Sequence, residues 1–218
     1  MIKSKSLKKV LAAALAMSLV MAPVVGVNAS TNNNAPAGDS GSSATVEQVV
    51  EAPRTSTVSA GGRVLTSTVR GVYMSVKIPG TVVVTDKATL AAGYGLGAGE
   101  TPYVRVYDIT EKSSPAAMAS INAIAGAIGG NVVGTVNLEL GKMAGGKFSL
   151  LAQGGAPISM VFGIPKNAVR PGYAYAMICV RPGGAYEILP DLDTDPNTVT
   201  FNTTGGLGAY AIVAYPAA

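Results

Sequence analysis

Three aspartates that alternate with other residues, Asp191, Asp193 and Asp195, are the first candidates for chemistry in this sequence. Calcium-binding loops use oxygen ligands at positions one, three and five, together with a glycine at position six and a glutamate at position twelve. Counted from Asp191, those last two positions hold Pro196 and Asn202. Asp, Asn and Pro are also the residues that tight turns favour. We therefore predict a hairpin turn between two strands, with a weak calcium site at the three aspartates as the alternative.

Two glycine-rich segments resemble nucleotide-binding loops in composition but not in spacing. In Gly93–Gly99, the third glycine of a dinucleotide-binding turn would fall at position 100, which is Glu100. In Gly141–Lys147, the spacing of a phosphate loop is followed by Phe148 instead of the serine or threonine that binds magnesium. We predict a flexible loop and a hairpin turn at these two places, and no cofactor.

The sequence offers little material for catalysis. It contains no histidine, which is the commonest general base, and its single cysteine, Cys179, lies within a predicted strand. A cysteine in that setting is expected to be a buried, unreactive thiol. We therefore expect no catalytic residues and a protein that is not an enzyme. A carbohydrate-active enzyme of unfamiliar type is the alternative.

Tyrosines are the other candidate ligand contacts, because the chain contains no tryptophan on which a sugar ring could stack. Tyrosines on strands are also common in ordinary sheet packing, which is the competing interpretation. The candidates are Tyr73, Tyr94, Tyr103, Tyr107 and Tyr186.

The first 29 residues have the pattern of a secretory signal peptide. Four lysines precede an apolar run, Val10–Ala22, and Val27 and Ala29 occupy the small-residue positions of a cleavage site. Residues 30–56 are predicted to be a flexible leader, because their first half is rich in Asn, Ser, Gly, Ala and Pro and contains no large apolar residue.

Cleavage of that peptide changes the charge of the chain. Removing four lysines reduces the basic residues from 16 to 12, against 12 acidic residues, so the mature chain is formally neutral. A neutral chain argues against nucleic acid as a partner and against attraction to a membrane surface after cleavage. We expect a secreted, extracellular protein that is held at the cell surface, if at all, by non-covalent contacts.

Residues 57–130 are predicted to be a β-rich segment with two helices, either a separate subdomain or part of one fold. Strands are predicted at Arg63–Val69, Val72–Ile78 and Thr81–Thr85, which are β-branched runs separated by Gly or Pro-Gly turns. Asp86 is well placed to cap a short helix. In Tyr103–Ile109 the tyrosines and arginine alternate with valines, which predicts a strand with one polar-aromatic face and one apolar face.

The second predicted helix lies between Ser114 and Gly129. Ser114 suits the N-cap, and Pro115 suits the first helical position. An apolar stripe repeats at intervals of three and four residues. The stripe consists of Met118, Ile121, Ala125 and Ile128. Small uncharged residues fill the other positions, so we expect this helix to be covered on more than one side.

Residues 131–218 are predicted to form an antiparallel β-sandwich, because seven short strand signals with turns between them follow one another. The whole chain is therefore expected to be mainly β, or α+β overall. The residues predicted to face inward into a single core are Leu138, Phe162, Ile178, Val199, Phe201 and Ile212.

Several segments of this half resemble a β-sandwich module of bacterial surface proteins. They are Ile158–Pro165, with the pattern I-x-x-x-x-x-I-P, Tyr173–Arg181, with Y-x-Y-x-x-x-x-V-R, and the I-L-P-D of Ile188–Asp191. Together with the Ala-rich helix, they make the chain similar to uncharacterised secreted proteins of Gram-positive, clostridial gut bacteria. The resemblance implies a fold and an extracellular habitat, and implies no particular chemistry.

These features favour a secreted, non-catalytic protein that acts as a binding or adhesion module, with a glycan or an envelope protein as its partner. A structural or self-assembling envelope subunit is the alternative, in which the partner is another copy of the chain. An exposed apolar patch or a free sheet edge would favour assembly.

We predict that the exported protein begins at or near Ser30, because Ala29 is the last residue of the cleavage motif. N-terminal sequencing of protein recovered from the culture medium or the cell surface tests this expectation. A product that keeps residues 1–29 and stays with the membrane fraction would contradict it.

Overall fold

A computed structural model describes residues 56–217. The predicted signal peptide, residues 1–29, and all but the last residue of the predicted leader, residues 30–56, lie outside the described residues. Among the described residues, no helix is both long enough and apolar enough to cross a membrane.

The described chain is mainly β with two helices, as predicted. The helices are α1 (Lys87–Gly93) and α2 (Pro115–Ala127). The strands are β1 (Thr57–Ala60), β2 (Arg63–Thr66), β3 (Arg70–Met74), β4 (Thr81–Val83), β5 (Glu100–Asp108), β6 (Asn131–Ala144), β7 (Lys147–Leu150), β8 (Ile158–Gly163), β9 (Tyr173–Val180), β10 (Tyr186–Pro190), β11 (Thr198–Thr203) and β12 (Gly206–Pro216).

Two sheets and a small hairpin contain all of these strands. The large sheet has the order β10-β9-β12-β6-β5-β3, with β7 paired to the end of β6, and the small sheet has the order β11-β8-β4. All pairs are antiparallel except β3 with β5, which is parallel. β1 and β2 form the separate hairpin. Strands β3, β4 and β5, which come from the predicted segment 57–130, thus lie in the same sheets as the strands of residues 131–218.

The main core lies between the large sheet and the small sheet. Phe162 and Phe201 meet edge to face with ring centroids 5.1 Å apart, and Phe201 lies 6.0 Å from the ring of Tyr210. Five of the six predicted core residues belong to this cluster, and so do Val104 and Val106 of β5. The cluster is therefore shared by both halves of the chain.

Ile178 is the sixth predicted core residue, and its predicted direction is wrong. It is fully buried, but it lies in a second cluster, beneath α2 on the opposite side of the large sheet. Its neighbours Met177 and Cys179 point into the main core instead. Side chains alternate along a strand, and β9 is buried on both sides, so hydrophobicity alone does not reveal which set faces which layer.

The helix α2 begins at Pro115, as predicted, although the side chain of Ser114 makes no capping hydrogen bond. Met118, Ile121 and Ala125 are buried against β9 and β12. The expectation that the helix is covered on more than one side is wrong, because its other faces are exposed to solvent. Small side chains make those faces uncharged without requiring a second layer.

Cys179 is fully buried, as predicted, and it belongs to the main core. Burial raises the pKa of its thiol above the ordinary value. Both facts agree with the interpretation of an unreactive cysteine.

Arg181 is the one buried charged residue among residues 56–217. Its Nη1 donates to the carbonyl oxygen of Gly205 at 3.2 Å, and its Nη2 donates to Oγ1 of Thr203 at 3.0 Å. The guanidinium also lies 5.7 Å from the ring centroid of Tyr210. These contacts fix the turn between β11 and β12 to the end of β9.

We predict that Phe201→Ala lowers the free energy of unfolding by about 3–5 kcal/mol, because the deletion leaves a cavity between the two sheets. The exposed Val64 of β2 provides the control, and Val64→Ala should change that free energy by about 0.5 kcal/mol or less. Chemical denaturation followed by circular dichroism measures both. Equal effects of the two substitutions would contradict the position of the core.

Candidate binding surface

The segment with the three aspartates, residues 191–197, connects the two sheets at one side of the sandwich. The predicted hairpin is wrong, because β10 pairs with β9 in the large sheet while β11 pairs with β8 in the small sheet. The segment is a crossover between layers. Polar turn residues between two strands are found in both kinds of connection, so the sequence did not distinguish them.

The carboxylates of the aspartates hold this crossover in shape. Oδ1 of Asp191 accepts hydrogen bonds from the backbone nitrogens of Thr200 at 2.9 Å and Asp193 at 3.2 Å. Oδ1 of Asp193 accepts one from the nitrogen of Asp195 at 2.8 Å, and its Oδ2 accepts one from the hydroxyl of Thr200. Partial burial raises the pKa of Asp191 above its ordinary value.

Asp195 reaches across to the β1–β2 hairpin. Its Oδ2 accepts a hydrogen bond from the backbone nitrogen of Gly61, and its Oδ1 accepts one from the nitrogen of Asn197 at 2.9 Å. These bonds lower the pKa of Asp195, with the Gly61 bond as the largest cause. Within residues 56–217, no three Asp, Glu, His or Cys side chains are grouped so that they could hold a metal ion.

An open cleft of 390 Å³ lies beside the aspartates. Tyr173 and Tyr215 line it, and the guanidinium of Arg170 lies 5.8 Å from the ring centroid of Tyr173. Neither tyrosine is among the ligand contacts predicted from the sequence.

Two of the candidate tyrosines bond to the interior of the protein. Tyr73 is buried, and its hydroxyl donates to the carbonyl oxygen of Val69 at 2.7 Å. Burial raises the pKa of Tyr73 to about 12. The hydroxyl of Tyr94 donates to the carbonyl oxygen of Ala156 and accepts from the nitrogen of Gly205, both at 2.7 Å. Their hydroxyls are engaged in holding loops together.

Tyr103 and Tyr107 lie with Arg105 on one face of β5, as the alternation predicted. The register places Arg105 beside Glu139 of β6. The hydroxyl of Tyr107 donates to Oε1 of Glu139 at 2.8 Å, while Nη1 of Arg105 lies 3.5 Å from Oε2 of the same carboxylate. Burial and the Glu139 charge raise the pKa of Tyr107 to about 12. Glu139 thus joins the two side chains.

Phe148 of β7 completes this group from the other side. The guanidinium of Arg105 lies 3.9 Å from the centroid of the Phe148 ring, and the ring of Tyr103 meets Phe148 edge to face at 6.1 Å. Gly141 makes this possible, because a Cβ there would lie 2.3 Å from the phenylalanine ring. We call Tyr103, Arg105, Tyr107, Glu139 and Phe148 the β5 face.

The β5 face lies on the side of the large sheet that α2 covers elsewhere. Directly paired residues of neighbouring strands point to the same side of a sheet. Tyr107 pairs with Asn137, and Asn137 pairs with Ala209, which belongs to the cluster beneath α2. Exposed apolar residues adjoin the face. They are Val72, Met74 and Leu150.

Tyr186 is the candidate that lies apart from the others. It is exposed on β10 and shares the same side of the sheet, but four strand spacings, about 19 Å, separate it from Tyr107. Of the five candidate tyrosines, the structure therefore brings only the half-buried Tyr103 and the exposed Tyr107 into one surface. Phe148 and Glu139 could not be predicted from the sequence as members of this surface, because their contacts depend on the pairing of β5, β6 and β7.

The chain matches no family model, no curated protein and no solved structure.

We predict that the backbone amide of Gly61 senses the protonation of Asp195. Because the folded pKa is lowered, this bond is intact above the ordinary value of 3.8 and is lost as the pH falls through the folded pKa. In NMR spectra, the Gly61 amide shift should titrate with a midpoint below 3.8. Asp195→Asn should remove the transition, and a midpoint above 3.8 or persistence in that variant would contradict the contact.

Proposed function

We propose that this protein is an exported, non-catalytic binding module and that the β5 face is its binding surface. The observation that carries the proposal is the ordered group of aromatic rings, an arginine and a carboxylate on a sheet face where Tyr107 is exposed and the other four side chains are half-buried. Tyrosine, phenylalanine and arginine are enriched in protein interfaces and contribute disproportionately to binding. Export is proposed from the signal pattern of residues 1–29.

The contacts within the β5 face favour binding further, because they order its longest side chain before any partner arrives. Arg105 lies over Phe148 and beside Glu139, so its guanidinium has few alternative positions. Ordering a flexible side chain on association costs about 0.5–1.5 kcal/mol, and a side chain that is already ordered avoids most of that cost.

The form of the surface favours a protein partner over a small molecule. Sites for small molecules are concave and bury most of their ligand, whereas the β5 face follows the surface of a sheet. Its mixture of aromatic, cationic and anionic groups suits the polar and aromatic surface of an extracellular or envelope protein. A glycan that stacks on Tyr103 and Phe148 is the alternative ligand.

A non-catalytic role is supported by how the carboxylates are used. Glu100 pairs with Nζ of Lys142 at 2.5 Å, and Asp108 accepts hydrogen bonds from the loop that follows β3. Glu139 and the three aspartates are engaged as described above. Each of these carboxylates has a partner within the fold, which supports roles in structure and binding.

A self-assembling subunit is the second candidate function. The outermost strands of the large sheet, β3 and β10, favour it because no other strand of residues 56–217 pairs with their outer sides.

The proposed function is tested by screening the full chain against envelope proteins and an array of glycans. Arg105→Ala and Tyr107→Ala should each weaken the binding found by about tenfold or more, because central Arg and Tyr residues of interfaces contribute about 2 kcal/mol or more. Val64→Ala, at an exposed position of β2 outside the β5 face and the sheet edges, is the control and should leave affinity unchanged. Binding that survives both β5-face substitutions, or no binding in either screen, would contradict the proposal.

A further inference from the structure

Within residues 56–217, no strand pairs with the outer side of either outermost strand of the large sheet. β3 and β10 each contain five residues. Among the described residues, no backbone hydrogen bond reaches either strand from beyond its neighbour in the sheet. A row of unpaired backbone groups is a template for another strand, and proteins usually block it with lysine, proline or a bulge. β3 contains neither lysine nor proline, and β10 contains only Pro190 at its end.

Exposed apolar side chains lie on both edges, on the same side of the sheet. Val72 and Met74 of β3 neighbour Arg105 and Tyr107 in register, which places them on the side of the β5 face. On β10, Tyr186 and Ile188 neighbour positions of the cluster beneath α2, which is also that side. The four side chains are between 37% and 51% exposed.

The two edges also have opposite charges. β3 contains Arg70 and no acidic residue, whereas β10 contains Glu187 and no basic residue. Arg70 is exposed and forms no ion pair within residues 56–217. Opposite charges across an interface favour encounter and disfavour the pairing of like edges.

The β10 edge of one copy can meet the β3 edge of a second copy that is related to it by translation alone. The pairings around the sheet make β3 and β10 run in the same direction. In a parallel pair that starts at both first residues, Arg70 would adjoin Tyr186 and Val72 would adjoin Ile188. Glu187 would adjoin Gly71, near the arginine along the interface but with its side chain on the other side of the sheet.

We propose that copies of this chain associate head to tail, with the β10 edge of one copy pairing in parallel with the β3 edge of the next. The occupant of each open edge is thus a second copy of the chain. Because the two edges are different surfaces, the association is heterologous and continues beyond a dimer. The proposal rests on the second candidate function, self-assembly, and specifies which edges join, and it does not use the central residues of the β5 face.

Sedimentation velocity of the full chain over a wide concentration range tests the proposal. Wild-type protein should form species larger than dimers as its concentration rises. Val72→Lys and Ile188→Lys should each remain monomeric, because a lysine at the centre of an edge blocks strand pairing. An equimolar mixture of these two variants should form dimers only, since one variant keeps an intact β10 edge and the other keeps an intact β3 edge.

Val64→Lys, at an exposed position of β2, is the matched control and should associate as the wild type does. Three results would each overturn the proposal: a wild type that stays monomeric, an effect of only one edge variant, or a mixture without dimers. Thermal melting checks that the variants fold, and Met74→Lys and Tyr186→Lys replace any variant that does not. Affinity for the partner of the β5 face, measured on the monomeric Ile188→Lys variant, separates failure of this proposal from failure of the binding function.

Discussion

The hydrogen-bonded ladder of β6 is the interaction on which the rest of the structure depends. This strand of 14 residues pairs with β5 on one side and, on the other, with β12 and then β7. It therefore joins strands from the beginning, middle and end of the described chain. Its inward side chains, such as Leu138, enter the main core, while its outward residues Glu139 and Gly141 organise the β5 face. One strand thereby sets both the core and the candidate binding surface.

Much of the local structure could be predicted because its determinants are close in sequence. The alternation of side chains predicted the two faces of β5. Ser114 and Pro115 predicted the start of α2. The same local information was insufficient where the outcome depends on distant partners. The residues of segment 191–197 are equally typical of a hairpin turn and of a crossover. Only the pairing of β10 and β11 with strands of different sheets distinguishes the two. Phe148 could not be linked to Arg105 without the pairing of β6 with β7.

The binding surface and the open edges form one geometrical arrangement. Both lie on the large sheet, and the exposed side chains of both point to the side that α2 covers only in part. If copies join through their edges, each copy presents its own β5 face on the same side of an extended sheet. Weak contacts at single faces would then add along the array, because linked sites raise one another's effective concentration. An array of copies would therefore attach firmly to its partner surface even if each single β5 face binds with modest affinity.

The burial of Cys179 means that the chain contains its own probe of unfolding. It is the only cysteine in the sequence, and its thiol lies inside the main core with a raised pKa. A thiol reagent can reach it only when the two sheets separate or β9 detaches, so the modification rate reports how often the native state opens. Because the thiol is inaccessible in the folded state, native copies cannot be joined by a disulfide through it. The rate of Cys179 modification therefore measures the opening of the native structure without denaturant and without an added label.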